Sequence, residues 1–381
     1  MTAIATWPRL RREPATAKLG SVDWSLILFV LLQIPVGLLA IYSATRGEVG
    51  LGQVSRQIVF VGVGLVALAV VSAIDYQHLR HFLGLIQLAT VTMLVLVLLI
   101  GVERSGTRGW FVIAGISLQP AEFAKIGLIL SLAAVFTGRT GNAEAPRFTA
   151  GLSILAAVVL LVLLERETGS VLVYCFIALG IFYIAGVPVR WVLLLIVSGV
   201  AAFSVVLTSG MLEDYQQARL TSFIGDPSDP VVREQSYNQR QSVTAVGSGG
   251  LTGAGIFEGP QTQLDFVPAQ ETDFIFTVIA EETGFVGAVT VLGIQALIMG
   301  RILRASRLSR DGFGTLICVG VFMMLLIQTF QNVGMALKLM PITGIPLPFV
   351  SYGGSSLLTS LVAVGLVQSV VIHRHRGTPD E

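Results

Sequence analysis

The stretch Glu271-Thr-Asp-Phe-Ile-Phe-Thr-Val-Ile-Ala-Glu-Glu282 decides how the rest of the chain is interpreted. It places an aspartate, Asp273, at the start of an apolar segment and two glutamates, Glu281 and Glu282, partway along it. A charged side chain at the centre of a membrane helix costs about 2.5–3.5 kcal/mol on insertion scales. Acids in such a segment therefore need a functional reason, and the rest of the chain is interpreted as a scaffold that sets Asp273 at a membrane surface.

The composition is that of a polytopic membrane protein. Of the 381 residues, 54% are hydrophobic and 12% are charged, and the mean hydropathy is +0.80. A soluble domain carries about 25% charged residues. The net charge of +1 suggests that no nucleic acid is a partner. Both cysteines, Cys175 and Cys318, lie inside apolar runs, which argues against a disulfide or a metal site.

The apolar pattern predicts an all-α polytopic membrane protein with ten transmembrane helices, since a spanning helix needs ~20 apolar residues. The membrane domain covers residues 24–372, between a tail at 1–23 and a tail at 373–381. A large extracellular loop, residues 209–272, lies between helices 7 and 8. The segments are approximately 24–43, 56–74, 82–101, 119–137, 149–165, 169–186, 191–208, 273–300, 313–335 and 355–372.

The distribution of lysine and arginine predicts that both tails are cytoplasmic. Ten spans place the termini on one side, and the short loops on that side carry most of the basic residues. The basic N-terminal tail followed by a full-length apolar run indicates an uncleaved signal anchor. The cytoplasmic set is Arg9, Arg11, Arg12, Lys18, Arg80, Arg139, Arg147, Arg190, Arg301, Arg304, Arg307, Arg310, Arg374 and Arg376, against chiefly Arg46, Arg104, Arg108 and Arg166 outside.

The glycine-rich part of the outward loop has two interpretations. Gly247-Ser-Gly-Gly250 and Gly253-Ala-Gly255 resemble a loop that cradles phosphate groups. No strand precedes them and no ribose-binding acid follows at the right distance, which argues against a nucleotide site. Close packing of these glycines against lipid or another helix is the favoured account.

Asp273 also has two interpretations. Thr272 could cap a helix that begins at Asp273, and the helix dipole favours an acid in the first turn, so the pair could simply be a good helix start. Acid–base chemistry would need a carboxylate with a raised pKa, which burial under the outward loop would supply. The residues alone leave both open.

Glu122 and Lys125 form a second group of charged residues in an apolar segment. Pro120 suits a first helical position, which places the two side chains three residues apart on one face of the helix. A local ion pair is the simpler reading. In the more specific interpretation, Lys125 bridges Glu122 and Glu281. At 1.5 Å per residue, Lys125 and Glu281 both lie on the order of 10 Å below the starts of their helices. At least one of Glu281 and Glu282 is expected to be protonated or exposed to water.

The other outward loops supply candidate binding residues. Arginines bind phosphate oxygens in bidentate fashion, so Arg108 and Arg219 near Asp273 would suit a pyrophosphate-bearing lipid, although scattered solvated arginines are the alternative. Trp110 is by default an aromatic residue of the membrane interface. The last outward loop, residues 340–356, is rich in proline and glycine and predicts the wall of a site, because irregular backbone at membrane depth must be buried or line a cavity.

Together these residues resemble the SEDS family of bacterial shape, elongation, division and sporulation proteins. The resemblance covers essentially all ten predicted spans, and the last loop is similar to the elongation branch rather than the division branch. The matching motifs are Arg108-Gly-Trp110, Gln119-Pro-Ala-Glu-Phe-Ala-Lys125, Gly247-Ser-Gly-Gly-Leu-Thr-Gly253, Thr272-Asp-Phe-Ile-Phe276, Ala280-Glu-Glu282, and Asn332 through Pro341, Gly344 and Pro348 to Ser351-Tyr-Gly-Gly-Ser-Ser356.

The resemblance implies a peptidoglycan glycosyltransferase that polymerises lipid II outside the bacterial cytoplasmic membrane. It implies a class B penicillin-binding protein as the crosslinking partner, alongside membrane proteins of the elongation complex. Asp273 matches the essential aspartate and is the implied general base, while Trp110, Glu122 and Lys125 match positions that the family needs. A divalent cation, Mg²⁺ or Mn²⁺, is a candidate cofactor with unknown ligands. The residues assigned to substrate binding are Trp110, Arg108, Arg219, Ser351 and Gly353.

The chain departs from the family pattern at two turns. Relatives often have Pro-Glu-x-His-Thr-Asp before the eighth span, where this chain has Pro268-Ala-Gln-Glu-Thr-Asp273. The fifth outward turn is Glu165-Arg-Glu-Thr-Gly-Ser170 where Pro-Asp-x-Gly-Thr is frequent. Auxiliary roles for Glu271 and Glu167 are therefore in doubt. Two rival functions stay open: a lipid II flippase or ion-coupled transporter that uses Glu122, Lys125 and Glu281, and a non-catalytic scaffold.

Overall fold

The computed structural model describes residues 21–46, 51–104, 107–113, 116–137, 144–208 and 236–374. These residues form a helical bundle with a small sheet at one end. The helices are α1 (Trp24–Thr45), α2 (Gly52–Ala73), α3 (Tyr76–His81), α4 (Leu83–Ile100), α5 (Pro120–Phe136), α6 (Glu144–Leu164), α7 (Thr168–Ile184), α8 (Val189–Thr208), α9 (Tyr237–Ser248), α10 (Pro260–Gln263), α11 (Ile275–Leu308), α12 (Gly312–Ala336) and α13 (Gly354–Ile372).

The bundle is that of a multi-pass membrane protein. Seven of the described helices are long and apolar enough to cross a membrane by length and composition: α1, α2, α4, α6, α11, α12 and α13. Helices α5 and α7 have 17 residues each and overlap two further predicted segments, and α8 overlaps another. The mostly helical, membrane-spanning architecture expected from the sequence is therefore confirmed.

The core lies around α5, α7, α12 and α13, whereas α2 and α4 are peripheral. Most of α12 and α13 is buried against other helices, but only 17% of the apolar stretch of α4 is buried. The outer helices instead expose leucine and valine side chains, such as Val63 on α2 and Leu88 on α4. Such surfaces are stable in hydrocarbon and not in water. The central helices therefore provide a rigid floor for the polar groups at their ends.

The segment after α4 corrects the all-α prediction. It forms a three-stranded antiparallel sheet of β1 (Val102–Arg104), β2 (Thr107–Ile113) and β3 (Ile116–Leu118), in the order β1-β2-β3. Val102 pairs with Trp110, and Phe111 pairs with Leu118. Valine, isoleucine and aromatic residues favour a pleated strand. The strands are short, so their alternating pattern is weak within a longer apolar chain.

The start of the eighth predicted helix is also corrected. Helix α11 begins at Ile275, after the predicted start at 273, and ends at Leu308, beyond the predicted end at 300. Thr272 does not cap it: the hydroxyl of Thr272 donates to the carbonyl oxygen of Ala269. The residue preceding the helix, Phe274, makes no side-chain cap. Asp273 therefore lies in a turn before α11 and not in its first helical turn.

The described part of the predicted outward loop, residues 236–272, contains α9 and α10. Residues 209–235, which include Arg219, lie outside the described residues. We call residues 259–274 the strap; it consists of α10 and the segment that connects α10 to the start of α11.

The glycine-rich segment packs on a break in α11, as the close-packing interpretation predicted. Gly284 has φ 65° and ψ −165°, which interrupts the helix. The amide of Phe285 donates to the carbonyl of Gly250, and the amide of Gly255 donates to the carbonyl of Glu282. A Cβ at Gly249 would lie 2.1 Å from the carbonyl oxygen of Ala280, so a larger residue would not fit. The backbone groups released by the break are thus paired within the protein.

Candidate functional site

Asp273 lies where the strap meets the last loop, residues 340–356. Its backbone amide donates to the carbonyl of Ala269 at 3.0 Å. The side-chain amide of Asn332, on α12, donates both to the carbonyl of Asp273 and to that of Ile345, each at 2.9 Å. One buried side chain therefore fixes the strap and the last loop relative to each other.

The carboxylate of Asp273 faces the backbone of Gly344. A Cβ built on Gly344 would lie 3.5 Å from Oδ2 of Asp273, and Gly344 has a φ of +69°. Only glycine adopts this conformation at little cost. Asp273 is half-buried, so its carboxylate combines a fixed position with access from outside. This combination suits a group that exchanges a proton with a ligand.

The last loop is held by its own backbone and by two neighbouring elements. The hydroxyl of Ser351 accepts a hydrogen bond from the amide of Leu347 at 2.8 Å and is buried. Gln57 of α2 donates to the carbonyl of Ser351 and accepts from the amide of Gly353. The amide of Tyr352 donates to the carbonyl of Glu271 in the strap. The hydrogen bonds of Ser351 and Gly353 thus shape the wall beside Asp273.

One glutamate of α11, Glu281, holds the strap in place, and the next, Glu282, contacts α1. The carboxylate of Glu281 is fully buried and accepts from the amides of Gln261 and Thr262, at 2.7 and 3.0 Å, and from the hydroxyl of Thr262 at 2.6 Å. These donors belong to the first residues of α10, where a carboxylate is favoured by the free N–H groups. Glu282 accepts from the hydroxyl of Ser43 on α1.

Lys125 does not bridge to Glu281, and that prediction is wrong. Its ammonium group lies 2.6 Å from Oε1 of Glu122, and both side chains are buried. The simpler interpretation, a local ion pair across one helical turn, is the one that the geometry bears out. Equal depth in the membrane was a poor guide because it ignores lateral position: α12 packs against both α5 and α11.

A second acidic pair, Glu165 and Glu167, lies in the turn between α6 and α7; the sequence left an auxiliary role for Glu167 in doubt and did not single out Glu165. Glu165 is fully buried, and neither of its carboxylate oxygens has a hydrogen-bond partner among the described residues. Burial, and then the charge of Glu167, raises the pKa of Glu165 from 4.5 to about 8. Burial also raises the pKa of Glu167, whose carboxylate accepts from the hydroxyl of Ser170. A paired acid in a turn between two apolar helices was the available signal.

The sheet covers this acidic pair. A Cβ on Gly109 would lie 3.3 Å from Oε2 of Glu165 and 3.5 Å from Oε2 of Glu167. The amide of Arg108 donates to the carbonyl of Glu165. The guanidinium of Arg108 is exposed and donates to the carbonyl of Gly101 at 3.2 Å. Trp110, in the same strand, is half-buried.

The structure therefore groups some predicted site residues and separates others. Asp273, Ser351 and Gly353 belong to one wall, while Arg108 and Trp110 belong to the sheet above Glu165. The ligands of a metal are not evident: within the described ranges, no group of three His, Cys, Asp or Glu residues could hold an ion.

The protein is a multi-pass helical membrane protein. It brings acidic side chains together at one end of its bundle, where the strap meets the last loop. This arrangement is typical of a membrane protein whose site lies at the membrane surface. The comparisons specify the class. The model of the FtsW, RodA and SpoVE family, described as cell cycle protein, matches residues 23–376. The chain belongs to this family, which confirms the resemblance stated from the motifs.

Relatives match over nearly their full length. Stage V sporulation protein E of Bacillus subtilis (strain 168) is 32% identical over 365 residues, covering 93% of this chain and 98% of that protein. Peptidoglycan glycosyltransferase MrdB of Escherichia coli (strain K12) is 31% identical over 353 residues, covering 93% and 94%.

Two solved structures share the fold. One chain, from work on the structural coordination of polymerization and crosslinking by a peptidoglycan synthase complex, is 31% identical, with a TM-score of 0.80 and coverage of 93% of this chain and 99% of that one. Rod shape determining protein RodA of Thermus thermophilus is 29% identical, with a TM-score of 0.71 and coverage of 93% and 98%.

Proposed function

We propose that this protein is a peptidoglycan glycosyltransferase that polymerises lipid II into glycan strands at the outer face of the bacterial cytoplasmic membrane during cell elongation. The support is its similarity, along almost the whole chain, to a relative named peptidoglycan glycosyltransferase. The observation that carries the proposal is the half-buried carboxylate of Asp273, fixed between the strap and the last loop.

The proposal includes ten membrane spans with both termini in the cytoplasm. Ten long helices overlap the ten apolar segments: α1, α2, α4 to α8, and α11 to α13. The lysine and arginine residues then lie mostly on the inner side. Asp273, the strap and the last loop lie on the outer side, where a lipid-linked sugar presents its reacting atoms.

In the proposed reaction the C4 hydroxyl of an acceptor N-acetylglucosamine attacks C1 of the N-acetylmuramic acid in a second lipid-linked chain. The new C–O bond forms as the bond from C1 to undecaprenyl pyrophosphate breaks, with inversion at C1. The carboxylate of Asp273 takes the hydroxyl proton, and the pyrophosphate leaves with the electron pair. A positioned general base contributes typically ~10²–10⁴-fold.

Arginines of the outward loops would bind the leaving pyrophosphate through paired hydrogen bonds. Arg108, in strand β2, is exposed, and Arg219 is the second candidate from the sequence. A divalent cation would neutralise the same charge. The described residues provide no three-residue ligand group for it, so no step is assigned to a cation.

The test is polymerisation of labelled lipid II by the purified chain together with its class B penicillin-binding protein, the proposed crosslinking partner. We expect Asp273→Ala to lower the rate by ~10²–10⁴-fold because no base remains. Glu258→Gln is the matched control, since it removes an exposed carboxylate of the same outward segment. A folded Asp273→Ala protein that polymerises at the wild-type rate would falsify the assignment of the base.

The rival proposal is a lipid II flippase or an ion-coupled transporter. The buried charges of Glu122, Lys125 and Glu281 favour it, because intramembrane ionisable residues often line ion or substrate paths. Their hydrogen bonds weigh against it: Lys125 pairs with Glu122, and Glu281 is occupied by the strap. Vesicles loaded with labelled lipid II separate the two, since a flippase moves the lipid without producing a glycan ladder.

A further inference from the structure

The turn between α6 and α7 fixes two acidic residues at two different helix ends. The amide of Glu167 donates to the carbonyl of Val162, and the amide of Arg166 donates to the carbonyl of Leu163. Arg166 has a φ of 65°, in the left-handed region. These features form a Schellman motif, which closes the C-terminus of α6. Glu165 therefore caps the C-terminal end of α6, and Glu167 precedes the N-terminal end of α7.

The two helix ends favour different charge states of the two acids. A negative charge is disfavoured at a helix C-terminus and favoured at a helix N-terminus. Glu165 is fully buried, and neither of its carboxylate oxygens has a hydrogen-bond partner among the described residues. Burial raises the pKa of Glu167 as well, but the hydroxyl of Ser170 donates to its carboxylate and acts in the opposite direction. Ionisation is therefore less favourable at Glu165 than at Glu167.

The charged groups around the turn do not compensate an ionised Glu165. The groups that face it are Glu167 in the turn, Glu122 and Lys125 of α5, Tyr174 of α7 and the backbone of Arg108 in β2, while the side chain of Arg166 is exposed. Lys125 is paired with Glu122 at 2.6 Å. The guanidinium of Arg108 donates to the carbonyl of Gly101. Helix α4, which also packs against β2, has no titratable residue.

Strand β2 lies against both carboxyl groups of the turn. A Cβ on Gly109 would lie 3.3 Å from Oε2 of Glu165 and 3.5 Å from Oε2 of Glu167. The amide of Arg108 donates to the carbonyl of Glu165 at 3.1 Å. Because Gly109 has no side chain, the strand backbone can approach the carboxyl groups and exclude water from Glu165. A charge on Glu165 under this strand would be both desolvated and next to a like charge, and displacement of the strand would hydrate it.

We propose that the sheet is a proton-controlled cover of this turn: it docks while Glu165 carries a proton and is displaced when Glu165 ionises. Arg108 and Trp110 flank Gly109 in β2 and would move with it. The switch therefore links proton binding in the turn to the positions of two candidate substrate-binding residues. It does not depend on the proposed reaction, because docking involves only the sheet and the turn.

Fluorine NMR of the purified full chain in detergent, labelled with 5-fluorotryptophan, measures docking without any substrate. Trp110→Phe assigns the resonance of Trp110, and Trp191 on α8 serves as the internal reference. The pKa of Glu165 is raised from 4.5 to about 8 in the docked state, so docking is complete below pH 4.5 and weakens as the pH rises through about 8. The expected loss is at most about tenfold per pH unit. We expect the resonance of Trp110 to change between pH 5 and pH 9 while that of Trp191 stays constant.

Two variants identify the group that binds the proton. Glu165→Gln keeps the size of the side chain without a charge, so the resonance of Trp110 should stay at its low-pH position up to pH 9. Glu167→Gln removes the like charge that helps to raise the pKa of Glu165, so the change should be complete at a lower pH. The matched control is Glu103→Gln, which removes an exposed carboxylate of β1 in the same sheet and should titrate like the wild type.

The outcomes that would overturn the switch are distinct. A resonance of Trp110 that is independent of pH in the wild type, or a pH dependence that survives in Glu165→Gln, excludes it. A change that Glu167→Gln alone abolishes assigns the proton to Glu167 instead. A simultaneous change at Trp191 shows unfolding of the bundle and not release of the sheet. If Glu165→Gln does not fold, the comparison of Glu167→Gln with the wild type decides, and identical profiles of these two proteins reject Glu165.

Discussion

Two acidic regions at one end of the bundle are built in opposite ways. On the strap side, the carboxylate of Glu281 receives three hydrogen bonds from the start of α10. On the sheet side, the carboxylate of Glu165 is as deeply buried but has no partner among the described residues. Glu122 and Lys125, close to Glu167 on this side, compensate each other's charge.

The difference teaches that burial alone does not tell what a membrane carboxylate does. A carboxylate with three donors is a structural link, which stabilises the strap and so the position of Asp273. A carboxylate without donors is unstable as an ion and takes up a proton instead. The two sides should therefore respond differently to mutation and to pH.

The largest expected effect is on the sheet side, from Glu122→Ala. This variant leaves the buried ammonium of Lys125 without its partner, which typically costs about 3–5 kcal/mol. Thermal unfolding of the purified protein in detergent measures the loss. The double variant Glu122→Leu/Lys125→Met should recover most of it, because no buried charge remains. Equal stability of the single and double variants would contradict a paired charge.

On the strap side, Glu281→Ala should cost somewhat less, about 3 kcal/mol in the free energy of unfolding. It leaves two amides and one hydroxyl without an acceptor, each worth ~1–3 kcal/mol when fully buried. Gln261 is only half-buried, so water replaces part of the loss. Glu281→Gln keeps an acceptor oxygen and should lose less, and protease sensitivity of the strap should follow the same order. A strap as resistant in Glu281→Ala as in the wild type would remove the structural role.

The pH dependence of stability caused by Glu165 is the third expected effect. Because its pKa rises from 4.5 in the unfolded chain to about 8 in the fold, the folded state holds the proton more tightly. The resulting stability is complete below pH 4.5 and is lost as the pH rises through about 8. Melting temperatures between pH 5 and pH 9 should therefore fall for the wild type and fall less for Glu165→Gln. The raised pKa of Glu167 leaves a residual slope; identical profiles for both proteins would argue against a protonated Glu165.

The sequence predicted the helices and the family, because long apolar runs and dense motifs are properties of the chain itself. It also predicted the pair of Glu122 and Lys125, since their contact lies within one helical turn. It did not predict the partners of Glu281, because these arrive when the strap, about twenty residues earlier in the chain, docks on α11. Contacts of this kind depend on which segments pack side by side, and the spacing of residues along one helix does not predict that.

The same limit explains the errors at the sheet and at the start of α11. The sheet at 102–118 is made of strands of three to seven residues whose pairing partners stabilise them more than their own propensity does. Threonine is a common helix cap, but the hydroxyl of Thr272 donates to the carbonyl of Ala269 in the preceding turn instead. The charge pattern could suggest Glu165, yet only the fold shows that Gly109 closes over it.

The break in α11 has a consequence for how the chain is assembled and engineered. The carbonyls of Gly250 and Leu251 accept from the two amides that follow Gly284, so the upstream segment completes the broken helix. During synthesis this segment leaves the ribosome before α11. Its carbonyls can therefore accept hydrogen bonds from the break as soon as that part of α11 emerges. An epitope tag inserted between residues 250 and 255 would separate the partners. Chimeras with related proteins should therefore exchange residues 247–286 as a single cassette.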